Sequence, residues 1–182
     1  MAQTWHSSRR GERPPRRPLD ERSIEERAIA YVGRYATTRA RLAAYLQRKI
    51  TERGWAGTAP PAIEQLVSRL ASLGYVDDEG FAVARASALR RRGYGVRRIE
   101  AALRAAGVEQ ATRAAAGESD AEESLRAALA LARRRRLGPY ARGPLDRDVN
   151  RRAMATMLRA GHELDIARRV LAMSSDEAEK LL

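Results

Sequence analysis

The chain has no cysteine, and that one absence removes disulfides, thiolate zinc sites and cysteine nucleophiles together. It fits a reducing compartment, and the cytoplasm is the expected location. Long apolar runs are missing too. No stretch approaches the roughly 20 residues that a spanning helix needs, and the N-terminus lacks the apolar centre of a secretory signal. Histidine occurs only as His6 and His162, with no second imidazole or thiol near either in sequence. A transition-metal site therefore has no ligand set, and a Ser-His-Asp relay has no ordered base. His162 reads instead as a helix-end residue favoured by the helix dipole. There is no Gly-x-Ser-x-Gly, no Walker-type Gly-Lys-Ser/Thr and no dinucleotide fingerprint, and Gly93-Tyr94-Gly95 reads as an interhelical turn. The residues carry no enzyme signature and call for no cofactor. Aromatic side chains are 5% of the total, too few to support sequence-specific readout by base stacking.

What the chain has in abundance is arginine. Its formal net charge is +12, and Lys49 and Lys180 are the only lysines. The chain is also rich in alanine, so the arginine-over-lysine bias fits a skewed genome composition as well as a demand for guanidinium chemistry. The net charge is the informative part. It favours polyanionic partners, nucleic acid before anionic membrane, because phosphate contacts release counterions.

Residues 1–20 hold five arginines against Glu12 and Asp20, together with Pro14, Pro15 and Pro18. With no apolar period they are expected to form a disordered tail. The prolines oppose the amphipathic helix of a transit peptide. From Ser23 onward the period is helical and no strand alternation is convincing. Ser23-x-x-Glu26 suits a capping box, with Ile24, Ala28, Tyr31 and Tyr35 on one face and Gly33 an unfavourable residue inside the helix. Thr37 or Thr38 caps a second helix with Leu42, Leu46 and Ile50 inward, ended near Gly54. Pro60-Pro61 suits the first turn of a third, carrying Ile63, Leu66, Val67 and Leu70.

The pattern recurs with helices expected over 77–92, 96–106 and 108–116. A third round starts at Ser119-x-x-Glu122, pauses at LGPYARGPL, resumes at Asp146 and finishes with Ile166 and Val170; Ser174-x-x-Glu177 caps a short terminal helix. Gly54, Gly107 and Gly161 close the middle helices at separations of 53 and 54 residues, a period that indicates a tandem array. The expectation is an all-α, elongated, curved array of three-helix repeats: a tail over 1–20, then repeats over 21–74, 75–117 and 118–182.

Two sets of residues invite a functional reading. Asp77, Asp78 and Glu79 form an acidic triplet, yet each has a structural role. Asp77 is placed to cap a helix, its neighbours favour the positive helix end, and Val76 and Phe81 have the spacing of a hydrophobic staple. A calcium loop needs oxygen ligands at alternate positions, which Phe81, Val83 and Ala84 do not offer. The other set is the arginine clusters: Arg90, Arg91 and Arg92; Arg97 and Arg98; Arg133, Arg134, Arg135 and Arg136; Arg151 and Arg152; Arg168 and Arg169. Singly, each pair fits a solvated helix face. Collectively, Arg85 with Arg92, Arg97 with Arg104, and Arg126 with Arg133 repeat a two-turn spacing, so basic stripes recur with the helices and could follow a phosphate backbone or an acidic groove.

The segment Gly74-Tyr75-Val76-Asp77-Asp78-Glu79-Gly80-Phe81-Ala82, followed by Arg92-Gly93-Tyr94-Gly95-Val96-Arg97-Arg98-Ile99 and Leu103-Arg104-Ala105-Ala106-Gly107-Val108, resembles the RecX family of regulatory proteins. Met157-Leu158-Arg159-Ala160-Gly161-His162 extends the likeness into the third repeat. The resemblance implies a non-enzymatic, monomeric modulator of the RecA recombinase. Such a protein lies in the groove of the RecA filament on single-stranded DNA and suppresses strand exchange, ATP hydrolysis and the coprotease function, which places it in DNA recombination, the SOS response and the regulation of DNA repair. One departure is Arg41, which stands where the family commonly has an acid three residues after a serine or threonine, so the second helix lacks a capping-box partner. The competing readings are a basic nucleic-acid-binding module that needs no RecA, and an α-helical enzyme built on the acidic triplet.

Overall fold

The computed structural model describes residues 17–143 and 146–181. The expected tail up to residue 16, His6 included, and two residues of the LGPYARGPL pause lie outside them. Among the described residues the protein is all-α. The helices are α1 (Glu21–Val32), α2 (Arg39–Arg53), α3 (Ile63–Ser72), α4 (Asp78–Arg91), α5 (Val96–Arg104), α6 (Gln110–Gly117), α7 (Ala121–Arg135), α8 (Arg147–Arg159), α9 (Leu164–Ala172) and α10 (Ser175–Glu179), with a 3-10 turn at Gly138–Tyr140.

Capping chemistry accounts for most of the starts. Side chains of Asp20, Thr38, Asp77, Asp120, Asp146 and Ser174 accept hydrogen bonds from first-turn amides, filling donors that a helix leaves unpaired. Several boundaries differ from expectation. The first helix is capped by Asp20, with Ser23 as the reciprocal partner at the third position. Gly33 is its C-cap rather than an interior residue, so the helical glycine penalty does not apply there. Pro60 and Pro61 precede α3, which has no side-chain cap. The cap of α7 is Asp120, one residue after Ser119.

The apolar faces collect into three cores. Leu19, Ile24, Ala28, Leu42, Leu46, Ile50, Val67, Leu70 and Val76 form the first. The second joins Ala82, Ala86, Leu89, Ile99, Leu103, Ala106, Val108 and Ala116. The third is built on Leu125, Leu129, Leu131, Met157, Ala167 and Val170, closed by Ala178 of α10. Residues 17–20 belong to the fold and not to a tail. Leu19 is fully buried, its amide donates to Gly54 O at 2.9 Å, and its carbonyl accepts from Ala56 N at 2.8 Å. Val76 completes the first core while Phe81 lines the second, so the junction residues divide between two cores.

The cores are coupled through the middle helices, which meet end to end. Thr38 Oγ1, at the start of α2, donates to Ala106 O at the end of α5, at 2.5 Å. At the other end of α5, Gly95 N donates to Ala160 O at 2.9 Å and Arg97 N to Gly161 O at 3.2 Å, both just past α8. At the α5–α8 joint, unpaired first-turn amides therefore meet carbonyls left open at a helix end, and at the α2–α5 joint a cap hydroxyl does the same. Gly107 and Gly161 make this approach feasible. A Cβ on Gly107 would lie 2.3 Å from Ala40 Cβ, and one on Gly161 would lie 2.3 Å from Arg98 N.

Candidate nucleic-acid and protein interface

Two members of the acidic triplet are spent on backbone amides, and Glu79 lies in the first turn of α4. Asp77 Oδ1 accepts from Gly80 N at 2.9 Å, and Asp78 Oδ1 accepts from Arg39 N at 2.9 Å. Asp78 thus caps α2 from the following unit and supplies the negative charge that Arg41 fails to provide. The Arg41 guanidinium instead lies 5.3 Å from the Phe81 ring centroid. Among the described residues, no group of three or more His, Cys, Asp and Glu side chains is arranged to hold a metal, and no helix is long and apolar enough to cross a membrane.

His162 is a buried strut. It is 3% exposed, and its Nε2 lies 3.1 Å from Gly93 O, joining the end of α8 to the turn after α4. In the Nε2–H tautomer the ring donates to that carbonyl. Desolvation holds its pKa below the ordinary imidazole value, partly offset by the Gly93 hydrogen bond. Burial therefore disfavours the protonated form that the helix dipole is expected to favour at this helix end.

The arginine clusters separate by what each side chain touches. Arg90 faces inward. Its Nη2 donates to Ala116 O at 3.1 Å and Glu118 O at 2.5 Å, satisfying carbonyls at the end of α6. Its Nε also lies 3.5 Å from Glu123 Oε2 of α7, so this guanidinium ties the second unit to the third. A cleft of about 760 Å³ beside it is lined by Arg90, Arg113, Glu118, Glu123, His162 and Glu163, among others. Its mixed charges compensate one another locally.

Arg91 and Arg92 point outward, Arg91 Nη1 donating to Ser87 Oγ at 2.7 Å. Arg92 lies 6.0 Å from the Tyr94 ring centroid, and Arg134 of α7 lies 6.0 Å from the same ring. Tyr94 packs against both the second and third cores. The close fit of α4 against α7, where a Cβ on Gly93 would meet Leu131 N at 2.7 Å, fixes that meeting point. Arg92 and Arg134, 42 residues apart in sequence, therefore share one surface at Tyr94. Arg97 and Arg98, exposed in the first turn of α5, leave from the same junction through the Gly95 and Gly161 contacts. Arg133, Arg134, Arg135 and Arg136 are all exposed. The first three occupy the last turn of α7, where the helix end favours cations. Arg136 holds a left-handed backbone at φ 56°, the one described non-glycine residue with positive φ.

The remaining predicted positions are more dispersed. Arg85 and Arg152 are exposed. Arg104 pairs with Glu100 at 2.6 Å and Arg151 with Asp148 at 2.9 Å; Arg126 pairs with Glu122. Exposed helical pairs of this kind hold their partners weakly, by about 0.3–0.5 kcal/mol, so these arginines can exchange a carboxylate for a phosphate. The sequence places Tyr31 and Tyr35 on one apolar helix face and does not single out Tyr45; α1 ends at Val32, and Tyr35 is exposed beyond it. The three rings assemble on the first unit, Tyr31 stacking on Tyr45 with centroids 4.1 Å apart. The four-residue step between Tyr31 and Tyr35 was the available signal; Tyr45 comes from another helix.

No family model matches the chain. Among curated proteins it is 34% identical over 170 residues to the regulatory protein RecX of Myxococcus xanthus (strain DK1622), covering 88% of this chain and 91% of the relative. The regulatory protein RecX of Mycobacterium sp. (strain JLS) is 40% identical over 96 residues, 50% of this chain and 49% of the relative. That of Mycobacteroides abscessus is 36% identical over 106 residues, 58% of this chain and 50% of the relative.

Proposed function

Because the chain belongs to the RecX family of regulatory proteins, we propose that it acts by binding RecA and the RecA filament on single-stranded DNA, inhibiting the recombinase, ATPase and coprotease activities. In this reading it is a monomeric, cofactor-free, cytoplasmic regulator with no catalytic step of its own. The observation that supports the proposal is the meeting of Arg92 and Arg134 at the Tyr94 ring, with exposed Arg97, Arg98, Arg133, Arg135 and Arg136 on the adjoining helix ends. Three cores linked through contacts between helix ends suit a filament that presents the same groove at regular intervals. Each unit contributes weak contacts to successive protomers and nearby phosphates, and their linkage raises the combined affinity. A protein bound in this way stabilises a filament state that cannot take up partner DNA.

Arg90 belongs to the fold in this reading, and Arg92, Arg97 and Arg135 to the interface. Added below stoichiometric amounts, the purified chain should lower RecA's DNA-dependent ATPase and strand exchange. Arg97→Gln with Arg135→Gln should weaken that inhibition and reduce the salt slope of filament binding by about one for each phosphate left without its arginine. Unchanged RecA activities in the presence of the chain would overturn the proposal. Tight, salt-sensitive DNA binding without RecA contact would assign the chain as a general nucleic-acid-binding module.

A further inference from the structure

The tyrosine cluster on the first unit is not used by the junction surface. Tyr31 lies on α1, Tyr35 follows it in the turn anchored by Tyr35 N donating to Tyr31 O at 2.9 Å, and Tyr45 lies on α2. Tyr31 and Tyr45 are stacked at an interplanar angle of 18°, and Tyr35 leans on Tyr31 with centroids 5.2 Å apart. Cations surround the rings. Arg34 lies 5.5 Å from the Tyr35 centroid, while Arg48 and Lys49 lie 5.7 Å and 5.8 Å from that of Tyr45. Ala30, Tyr31, Arg34, Tyr35, Tyr45 and Arg48 line a groove of about 480 Å³, with no carboxylate among them. Glu52 pairs with Arg48 at 3.4 Å and with Lys49 at 2.5 Å.

A large aromatic residue that is 50% exposed, leaning on other rings and held beside guanidinium groups, offers accessible aromatic surface in a local positive field. An acidic protein side chain would engage the cations and leave the ring in water. A nucleotide uses both features, stacking its base on the ring and placing its phosphate beside the arginines. Base faces are free only in a single strand, since a duplex stacks them internally. From these features we infer that Tyr35, supported by Tyr31 and Tyr45 and flanked by Arg34 and Arg48, is a base-stacking subsite for single-stranded nucleic acid. Every base has an aromatic face, so the subsite is indifferent to sequence. It deepens the function proposed above, and takes its biological setting from it, by giving the first unit a hold on the strand separate from the arginines of the junction.

The test uses the full chain, a fluorescein-labelled oligothymidylate and a duplex of equal length, with affinities read by anisotropy. Tyr35→Ala should weaken single-strand binding about tenfold, the loss expected for one stacked base, and leave duplex binding and the thermal melt unchanged. Tyr35→Phe, which keeps the ring face, should stay within about twofold of the parent. The inference is overturned if the parent chain does not bind the oligonucleotide, if Tyr35→Ala binds it as tightly as the parent, or if duplex affinity falls equally. Loss of RecA binding without DNA, with oligonucleotide affinity retained, would mark the cluster as a protein contact and also overturn it. Failure of the RecA proposal is read separately: RecA's ATPase would then be unaffected by the parent chain, whatever Tyr35→Ala does to the oligonucleotide.

Discussion

Replacing Gly161 by alanine perturbs the joint between the second and third units at one atom, and Gly74 offers an internal control. Both glycines have positive φ, 91° and 78° respectively, so alanine at either carries the left-handed penalty of roughly 1–2 kcal/mol. Their surroundings differ. Nothing lies within 4 Å of a Cβ built on Gly74, whereas one on Gly161 meets Arg98 N at 2.3 Å and Arg98 Cβ at 2.6 Å. Arg98 N is backbone in the first turn of α5, so relief requires α5 to separate from α8. That movement adds an overpacking cost of about 1–3 kcal/mol. It also weakens the Gly95-to-Ala160 and Arg97-to-Gly161 hydrogen bonds, each worth about 1 kcal/mol. The expectation is a loss of about 3–6 kcal/mol for Gly161→Ala against about 1–2 kcal/mol for Gly74→Ala. Urea denaturation followed by circular dichroism measures both. Because the joint couples the second and third cores, Gly161→Ala should also broaden the transition as the third core begins to unfold separately. Equal destabilisation by the two substitutions, with unchanged cooperativity, would refute the end-to-end packing of α5 on α8.

Asp78 and His162 give two further tests of the joints. Asp78→Ala should cost about 0.5–2 kcal/mol, the worth of an N-cap, and should be non-additive with Thr38→Ala by more than about 0.5 kcal/mol because both serve the start of α2; strict additivity in the denaturation data would separate them. For His162, the folded state disfavours the proton while the unfolded chain takes it up as pH falls through about 6.5. Stability is therefore fully present above that pH and declines below it, down to the lowered folded pKa. Melting temperatures between pH 7.5 and 5 should show this decline in the parent and lose most of it in His162→Gln; identical profiles would show that the ring titrates freely.

Much of the helical framework follows from local chemistry that can be read along the chain. Asp77 and Ser174 cap the helices their spacing indicates, and Leu42, Leu46 and Ile50 are buried on one face as their three- and four-residue steps require. The errors arise where two local solutions compete. Asp20 and Ser23 are both good caps. The docking of Leu19 on Gly54 favours Asp20, and no local period reports a contact across 35 residues. Pro60 and Pro61 are compatible with a first turn and equally with the non-helical segment they occupy.

The interface is less legible. Arg90, Arg91 and Arg92 are adjacent and chemically identical, so composition assigns them one role; packing of α6 and α7 turns Arg90 inward and leaves its neighbours in solvent. By itself the sequence determined the all-α class, most helix registers, the positive charge and the family, because these depend on residue type and near-neighbour spacing. Tertiary structure decided which arginines face solvent, that Asp78 caps the helix α2, that His162 is buried where protonation is disfavoured, and that three scattered tyrosines form one surface. Each of those depends on how one helix end meets another, a relation set by backbone approach at a few glycines and by burial, and therefore fixed only when the units are packed.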